Sequence, residues 1–171
     1  SALRWDWWRA AESPQRLPSG RKPCQIEAMD DTRIEKRVGV QADAQRIWDL
    51  IADLDGWSRW NPHDRDVEGA IAFGGRLHMT ETWPDLEARR ATAQIGEWQP
   101  LARLVWFEKR GFLFRTLRYI EIEELERGSC ILASGTRFSG LRGELFHDKH
   151  RGALRRGHEG IVEGLKAASE A

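Results

Sequence analysis

Tyrosine is nearly missing, cysteine occurs twice, and neither sign of charge is in excess in this chain of 171 residues. Each shortage excludes something. Cys24 and Cys130 show no C-x-x-C or metal-ligand spacing, which points to unpaired thiols in a reduced, cytoplasmic protein. Lysine plus arginine equals aspartate plus glutamate at 27 each, so a broad nucleic-acid or anionic-membrane surface, which needs clustered cation, is not expected. No apolar run approaches the roughly 18 residues of a membrane span, and no charged-then-apolar signal segment opens the chain. Nucleophile elbows, phosphate-cradling glycine loops and tellingly spaced carboxylate pairs are also missing, so the sequence presents no catalytic constellation and implies no cofactor. What the chain has instead is nine tryptophans against one tyrosine. Indoles fill apolar space and keep one N–H for a partner, which suits both a core and an apolar pocket.

The C-terminal run from Gly140 to Ala171 organises the rest. At the helical repeat, Leu154, His158, Ile161, Val162 and Leu165 share one face, while Arg155, Arg156, Glu159, Glu163, Lys166 and Glu170 share another. This predicts a long amphipathic helix. A third face holds Gly157, Gly160 and Gly164, although interior glycine costs a helix about 1 kcal/mol against alanine. Such a face implies either close backbone approach or vacant space beside the helix.

Residues 1–28 differ in character from the rest of the chain. Trp5, Trp7 and Trp8 precede a stretch with three prolines and a glycine that reads as a linker, and Met29 opens a segment that reads like a natural start. The expected division is an N-terminal extension, 1–28, and one domain, 29–171. The three indoles suggest a docked tail or a homodimer contact. Alternation of Ile34, Val38 and Val40 predicts a first strand over Arg33 to Val40. Ile47, Leu50, Ile51 and Leu54 predict a helix that stops at Asp55-Gly56, and WSRWNP has room for one further turn. Strand-like segments come next, separated by Gly74-Gly75, Pro84-Asp85, Pro100, Gly111 and Arg127-Gly128. Short turns between strands imply an antiparallel meander with the long helix packed on one side.

The order of these elements, and three motifs, carry a resemblance. IWDLIADLDGWSRWNP resembles the first-helix signature of the START-like superfamily, also called SRPBCC. LARLVW, just after Pro100, is similar to its Leu-Val-Trp strand, and GSCILASGTRFSG resembles its last strand, which ends in Phe-x-Gly before the long helix. The match covers about Arg33 to Ala168. It implies an α+β helix-grip fold: a curved antiparallel sheet of about seven strands wrapped around a long C-terminal helix, with two short helices after the first strand and a hydrophobic cavity between sheet and helix. Two departures fall on the predicted inward side. Gly128-Ser129-Cys130 stands where many bacterial members have Gly-Gly-Thr, and His158 stands where an aromatic is frequent.

The resemblance and the inward parity together nominate a ligand site. Trp60, Leu77, Met79, Trp83, Trp106 and Phe114 would supply apolar wall, with Ile120 and Ile161. Arg118, Ser134, Thr136 and His158 would supply polar groups. Arg118 shares the apolar parity of its strand, as a packed stem with a snorkelling head or as an oxyanion anchor. Glu81 shares a side with Leu77 and Met79 and could pair with Arg118. His158 reads as a bonded core histidine or as an acid–base group. His147 and His150 read as a solvated helix turn rather than a metal site. The expected function is binding of a small hydrophobic molecule such as a lipid or polyketide. Polyketide cyclase-like catalysis through Arg118 and His158 is one alternative, and a chaperone-activator-like interaction module is a second.

Overall fold

The computed structural model describes residues 32–171. The readings placed on 1–28, on Trp5, Trp7 and Trp8 and on Cys24 lie outside these residues. Seven strands form one antiparallel sheet: β1 Arg33–Val40, β2 Asp64–Gly69, β3 Arg76–Glu81, β4 Arg89–Gln99, β5 Arg103–Gly111, β6 Phe114–Glu126 and β7 Ser129–Ser139. Their spatial order is β1-β7-β6-β5-β4-β3-β2. Strands two to seven are therefore a meander of hairpins, and β1 adds to its far side against β7. Between the first and second strands, helix α1 (Ala44–Ala52) and a 3-10 helix (Leu54–Arg59) carry the chain from one sheet edge to the other. Helix α2, Leu141–Glu170, closes the fold; its 30 residues are about 45 Å long at 1.5 Å per residue.

Period-2 alternation works as expected along the later strands. Leu77 and Met79, Leu104 and Trp106, Ile120 and Ile122, and Cys130 and Leu132 all turn inward and are buried. Register shifts at Arg65/Glu68, Ile95/Glu97, Lys109/Gly111 and Glu124/Glu126 add the local bends by which a sheet curves. Facing it, α2 buries Leu154, His158, Ile161, Val162 and Leu165, the stripe predicted from spacing. Full burial of an aliphatic side chain contributes about 1.5–3 kcal/mol, so Ile161 and Leu165 anchor this helix. The 3-10 helix is tied back to α1 by two indoles: Trp57 Nε1 donates to the Ile51 carbonyl at 2.8 Å and Trp60 Nε1 to that of Leu50 at 3.2 Å.

Of the two meanings open to the glycine face, the structure selects close approach. A Cβ on Gly164 would lie 2.0 Å from the Trp60 carbonyl oxygen, and one on Gly157 would lie 2.4 Å from the Trp83 ring. On Gly160 it would meet His63 Nε2 at 2.8 Å. The space beside this half of the helix is filled by neighbours, so it offers no vacancy to a ligand.

Two further differences have plain causes. Strand β2, DRDVEG, has only Val67 as an apolar residue and breaks alternation at its register shift, so no period-2 signal marks it. His147 is not on a solvated turn: it is buried against the Phe138 ring, with centroids 5.7 Å apart.

Opposite outcomes are expected for two alanine substitutions in α2. Gly164→Ala places a methyl against a backbone oxygen and should lower stability by about 1–3 kcal/mol through overpacking. Gly152→Ala meets only the Arg156 guanidinium, at 3.5 Å, and should raise stability by up to about 1 kcal/mol through helix propensity. Urea midpoints shifting in the same direction would contradict this packing.

Candidate functional site

Among the described residues, a cavity of about 480 Å³ opens between the sheet and the N-terminal half of α2. The β3–β4 connection contributes Trp83, Asp85, Leu86, Glu87 and Ala88; the strands contribute Glu81, Arg89, Arg110, Thr116, Arg118, Thr136 and Phe138. Phe146, Lys149, His150 and Leu154 complete it from the helix. Leu154 and Gly157 are three residues apart, so the open end gives way to the tightly fitted end within roughly 4.5 Å along the helix axis.

Of the twelve residues nominated from sequence, Trp83, Arg118 and Thr136 line this cavity. Phe114 lies behind its wall, its ring centroid 5.2 Å from that of Phe146. Leu77, Ile120 and Ile161 are interior core. Trp60 and Trp106 each pack at a tilt against Trp57, with ring centroids 5.3 and 5.7 Å away. Met79 places its sulfur 3.9 Å from Arg118 Nη1. Ser134 and His158 form a closed pair beneath Trp83. The middle of the grip is thus occupied by the side chains expected to wall it, and open volume remains at one end.

The chemistry of that end is set by a chain of alternating charges. Asp64 on β2 is directly opposite Glu81 on β3, and Glu81 is opposite Arg89 on β4. Two facing carboxylates would repel. Arg118 reaches over from β6 and binds both: Nη1 and Nη2 donate to Asp64 at 3.0 and 2.5 Å, and Nη1 also to Glu81 Oε1 at 3.2 Å. Trp83 and Trp106 lie over the Arg118 guanidinium at 4.8 and 5.0 Å. Arg89 in turn pairs with Glu81 at 2.6 Å and grips Glu108 with two nitrogens, at 2.8 and 2.5 Å. Arg110, 3.9 Å from Glu108, ends the series.

Asp64 is the most constrained member. Asn61 Nδ2 donates to it at 2.9 Å and Trp83 Nε1 at 3.3 Å, which with Arg118 fills about four acceptor positions. Burial alone would push its pKa up; the Arg118 charge and these hydrogen bonds outweigh burial and hold it below the ordinary carboxylate value. Glu81 goes the other way, because burial outweighs the Arg118 charge and its pKa is raised. Two acids of one cluster are therefore driven apart. Sequence parity finds the Glu81–Arg118 pair. It misses Asp64, Arg89, Glu108 and Arg110, since Asp64 follows a turn-like Asn-Pro and the others read as solvated strand charges.

His158 is fully buried and bridges two hydroxyls, with Nδ1 2.9 Å from Ser134 Oγ and Nε2 2.9 Å from Thr136 Oγ1. A neutral imidazole offers one donor and one acceptor, so one hydroxyl accepts while the other donates. Burial, with the Arg118 charge second, lowers its pKa to about 3. The partners are hydroxyls on β7, which makes this the bonded core histidine of the two readings, and the ring does not line the cavity. No group of three or more His, Cys, Asp or Glu among the described residues is placed to hold a metal ion. Cys130 is a free, buried thiol. No helix among these residues is long and apolar enough to cross a membrane.

An antiparallel sheet gripping a long terminal helix, with a cavity between them, defines the START-like helix-grip class. Residues 31–170 match the family described as polyketide cyclase / dehydrase and lipid transport, and the chain belongs to that family. Among solved structures, the Zhui aromatase/cyclase from Streptomcyes sp. R1128 aligns with a TM-score of 0.66 at 15% identity, over 81% of this chain and 93% of that one. A START superfamily protein from Mycobacterium smegmatis aligns with 0.62 at 15%, over 81% and 97%. The di-domain aromatase/cyclase StfQ from the steffimycin biosynthetic pathway gives 0.65 at 16% over 81% of this chain, which spans 50% of StfQ's length. Likeness at such identity establishes the shared fold, not a shared reaction. No curated protein sequence matches the chain.

The buried imidazole generates a pH prediction. Its folded pKa, about 3, lies below the unfolded value of about 6.5, so this group's stabilising share is present above pH 6.5 and is lost as pH falls toward 3. The slope approaches about 1.4 kcal/mol per pH unit. His158→Phe should lower stability at pH 7.5 by about 1–3 kcal/mol for each hydroxyl it strands. That deficit should narrow between pH 6.5 and 4.5. Urea unfolding of both proteins across this range checks it, and a deficit independent of pH would remove the linkage.

Proposed function

We propose that this protein binds a small, largely apolar molecule that carries a polar group, held between the β3–β4 connection and the N-terminal half of α2. The supporting observation is the cavity of about 480 Å³, which falls in the ordinary range of ligand sites, about 300–1,000 Å³. Trp83, Leu86, Phe138, Phe146 and Leu154 offer apolar contact, while Glu81, Arg110, Arg118 and Thr136 offer oriented polar groups. Such a lining selects a molecule with an apolar body and a polar end. The family's description is consistent with this reading.

The test uses N-phenyl-1-naphthylamine, a neutral apolar probe whose emission rises on burial. The folded protein should bind it at one equivalent. Ala88→Trp, at an exposed position on the cavity rim, should weaken binding severalfold with an unchanged melting temperature. No enhancement with the folded wild type would sink the proposal.

A second reading, acid–base catalysis in the same cavity, is favoured by one observation. Glu81 lines the cavity, its pKa is raised by burial, and Arg118 lies 3.2 Å away to orient it. The acid–base role then falls to Glu81 in place of His158, which is enclosed. If a short poly-β-ketone thioester is turned over, Glu81→Gln should abolish the rate while leaving probe binding intact. An unchanged rate in that variant would retire Glu81 as the acid–base group.

A further inference from the structure

The alternating charges do not close evenly. Asp64 is saturated by Arg118, Asn61 and Trp83, and Glu108 gives both carboxylate oxygens to Arg89. Arg110 is left with a 3.9 Å approach to Glu108 and makes no hydrogen bond to any other described residue. Its position is nevertheless fixed. The guanidinium lies 4.8 Å from the ring centroids of both Phe114 and Phe146, and its side chain is largely removed from solvent. Arg110 lines the cavity, as does Lys149 from α2. A cation held by two rings, with its N–H groups uncommitted, is arranged to receive an anion.

We infer that Arg110 is the anchor for a carboxylate on the bound molecule, so that the site takes an apolar monocarboxylic acid. This deepens the container reading and rests on it. The planar guanidinium fork matches a carboxylate through two parallel N–H···O bonds. Charge count decides against a dianion such as a phosphate monoester. Three carboxylates of the buried series, Asp64, Glu81 and Glu108, are matched in number by three guanidinium groups, Arg118, Arg89 and Arg110. Lys149 is therefore the cation left in the lining to balance an incoming charge, and a second negative charge would meet only the lining's Asp85 and Glu87. The burial that lowers Arg110's pKa, with Arg89's charge second, acts in the same direction, because a desolvated cation gains most from an incoming anion.

The experiment compares 2-naphthoate with 2-naphthalenemethanol, which have the same ring system and differ in charge, as competitors of N-phenyl-1-naphthylamine at pH 7.5. Wild type should favour the acid by tenfold or more. Arg110→Gln should lose that preference while binding the alcohol within twofold of wild type, and Arg110→Lys should keep part of it. Equal affinity of wild type for both compounds would overturn the carboxylate anchor and leave the container intact. A parallel loss of both in Arg110→Gln, in a variant with wild-type melting temperature, would make Arg110 a wall residue and overturn the anchor too. Failure of the neutral probe itself to bind would overturn both readings.

Discussion

The contact on which the cavity end of this fold depends is the buried ion pair between Arg118 and Asp64. It joins β6 to β2, strands separated by three others in the sheet, across the interior rather than along the hydrogen-bonded ladder. A buried pair of this kind adds little net stability when intact, yet losing one partner typically costs about 3–5 kcal/mol, because the other charge is stranded. Its value is geometric. Asp64 can be satisfied only if β2 is docked, Trp83 is turned in and Arg118 is extended, so one charge pair makes three placements conditional on one another.

From that pair the remaining polar groups acquire their places. Glu81 is tolerated opposite Asp64 because Arg118 lies between their charges, and Arg89 then balances Glu81 and Glu108 together. Trp83 is used on every side: its N–H bonds Asp64, its face takes Arg118, its edge meets Gly157, and His158 lies 5.0 Å away. The site is a polar wall built on a sheet, with an apolar helix opposite. The helix-grip architecture supplies the volume, and the charge sequence supplies the polar side of its lining.

Much of the fold is legible in the sequence, and for physical reasons. Strands β3 to β7 alternate because one face is buried, and α2 shows its stripe because Leu154, Ile161, Val162 and Leu165 need a core to face. Strand β2 is invisible, since its key inward residue is Asp64 and the partner that makes an inward aspartate acceptable lies 54 residues later. The site is only partly legible for the same reason. Parity places Trp83, Arg118 and Thr136 inside, but whether an inward residue meets open space or another side chain depends on volumes from several strands at once. Met79, Trp106, Ile120 and His158 point inward and are consumed by packing. Arg89, Glu108 and Arg110 look like solvated strand charges until the sheet's bends bring them to a common wall.

The three notches on α2 carry a consequence for how this protein can change over evolutionary time. Trp83, His63 and the Trp60 carbonyl seat at Gly157, Gly160 and Gly164 like teeth against a rack, fixing the helix in both rotation and translation. Phe146, Lys149, His150 and Leu154 are aimed by that engagement, although they lie one to three turns away. Adding a single residue between Leu154 and Gly157 would swing them by about 100° while leaving the notches engaged. The cavity wall can therefore diversify side chain by side chain, whereas changes in helix length are confined to its two ends.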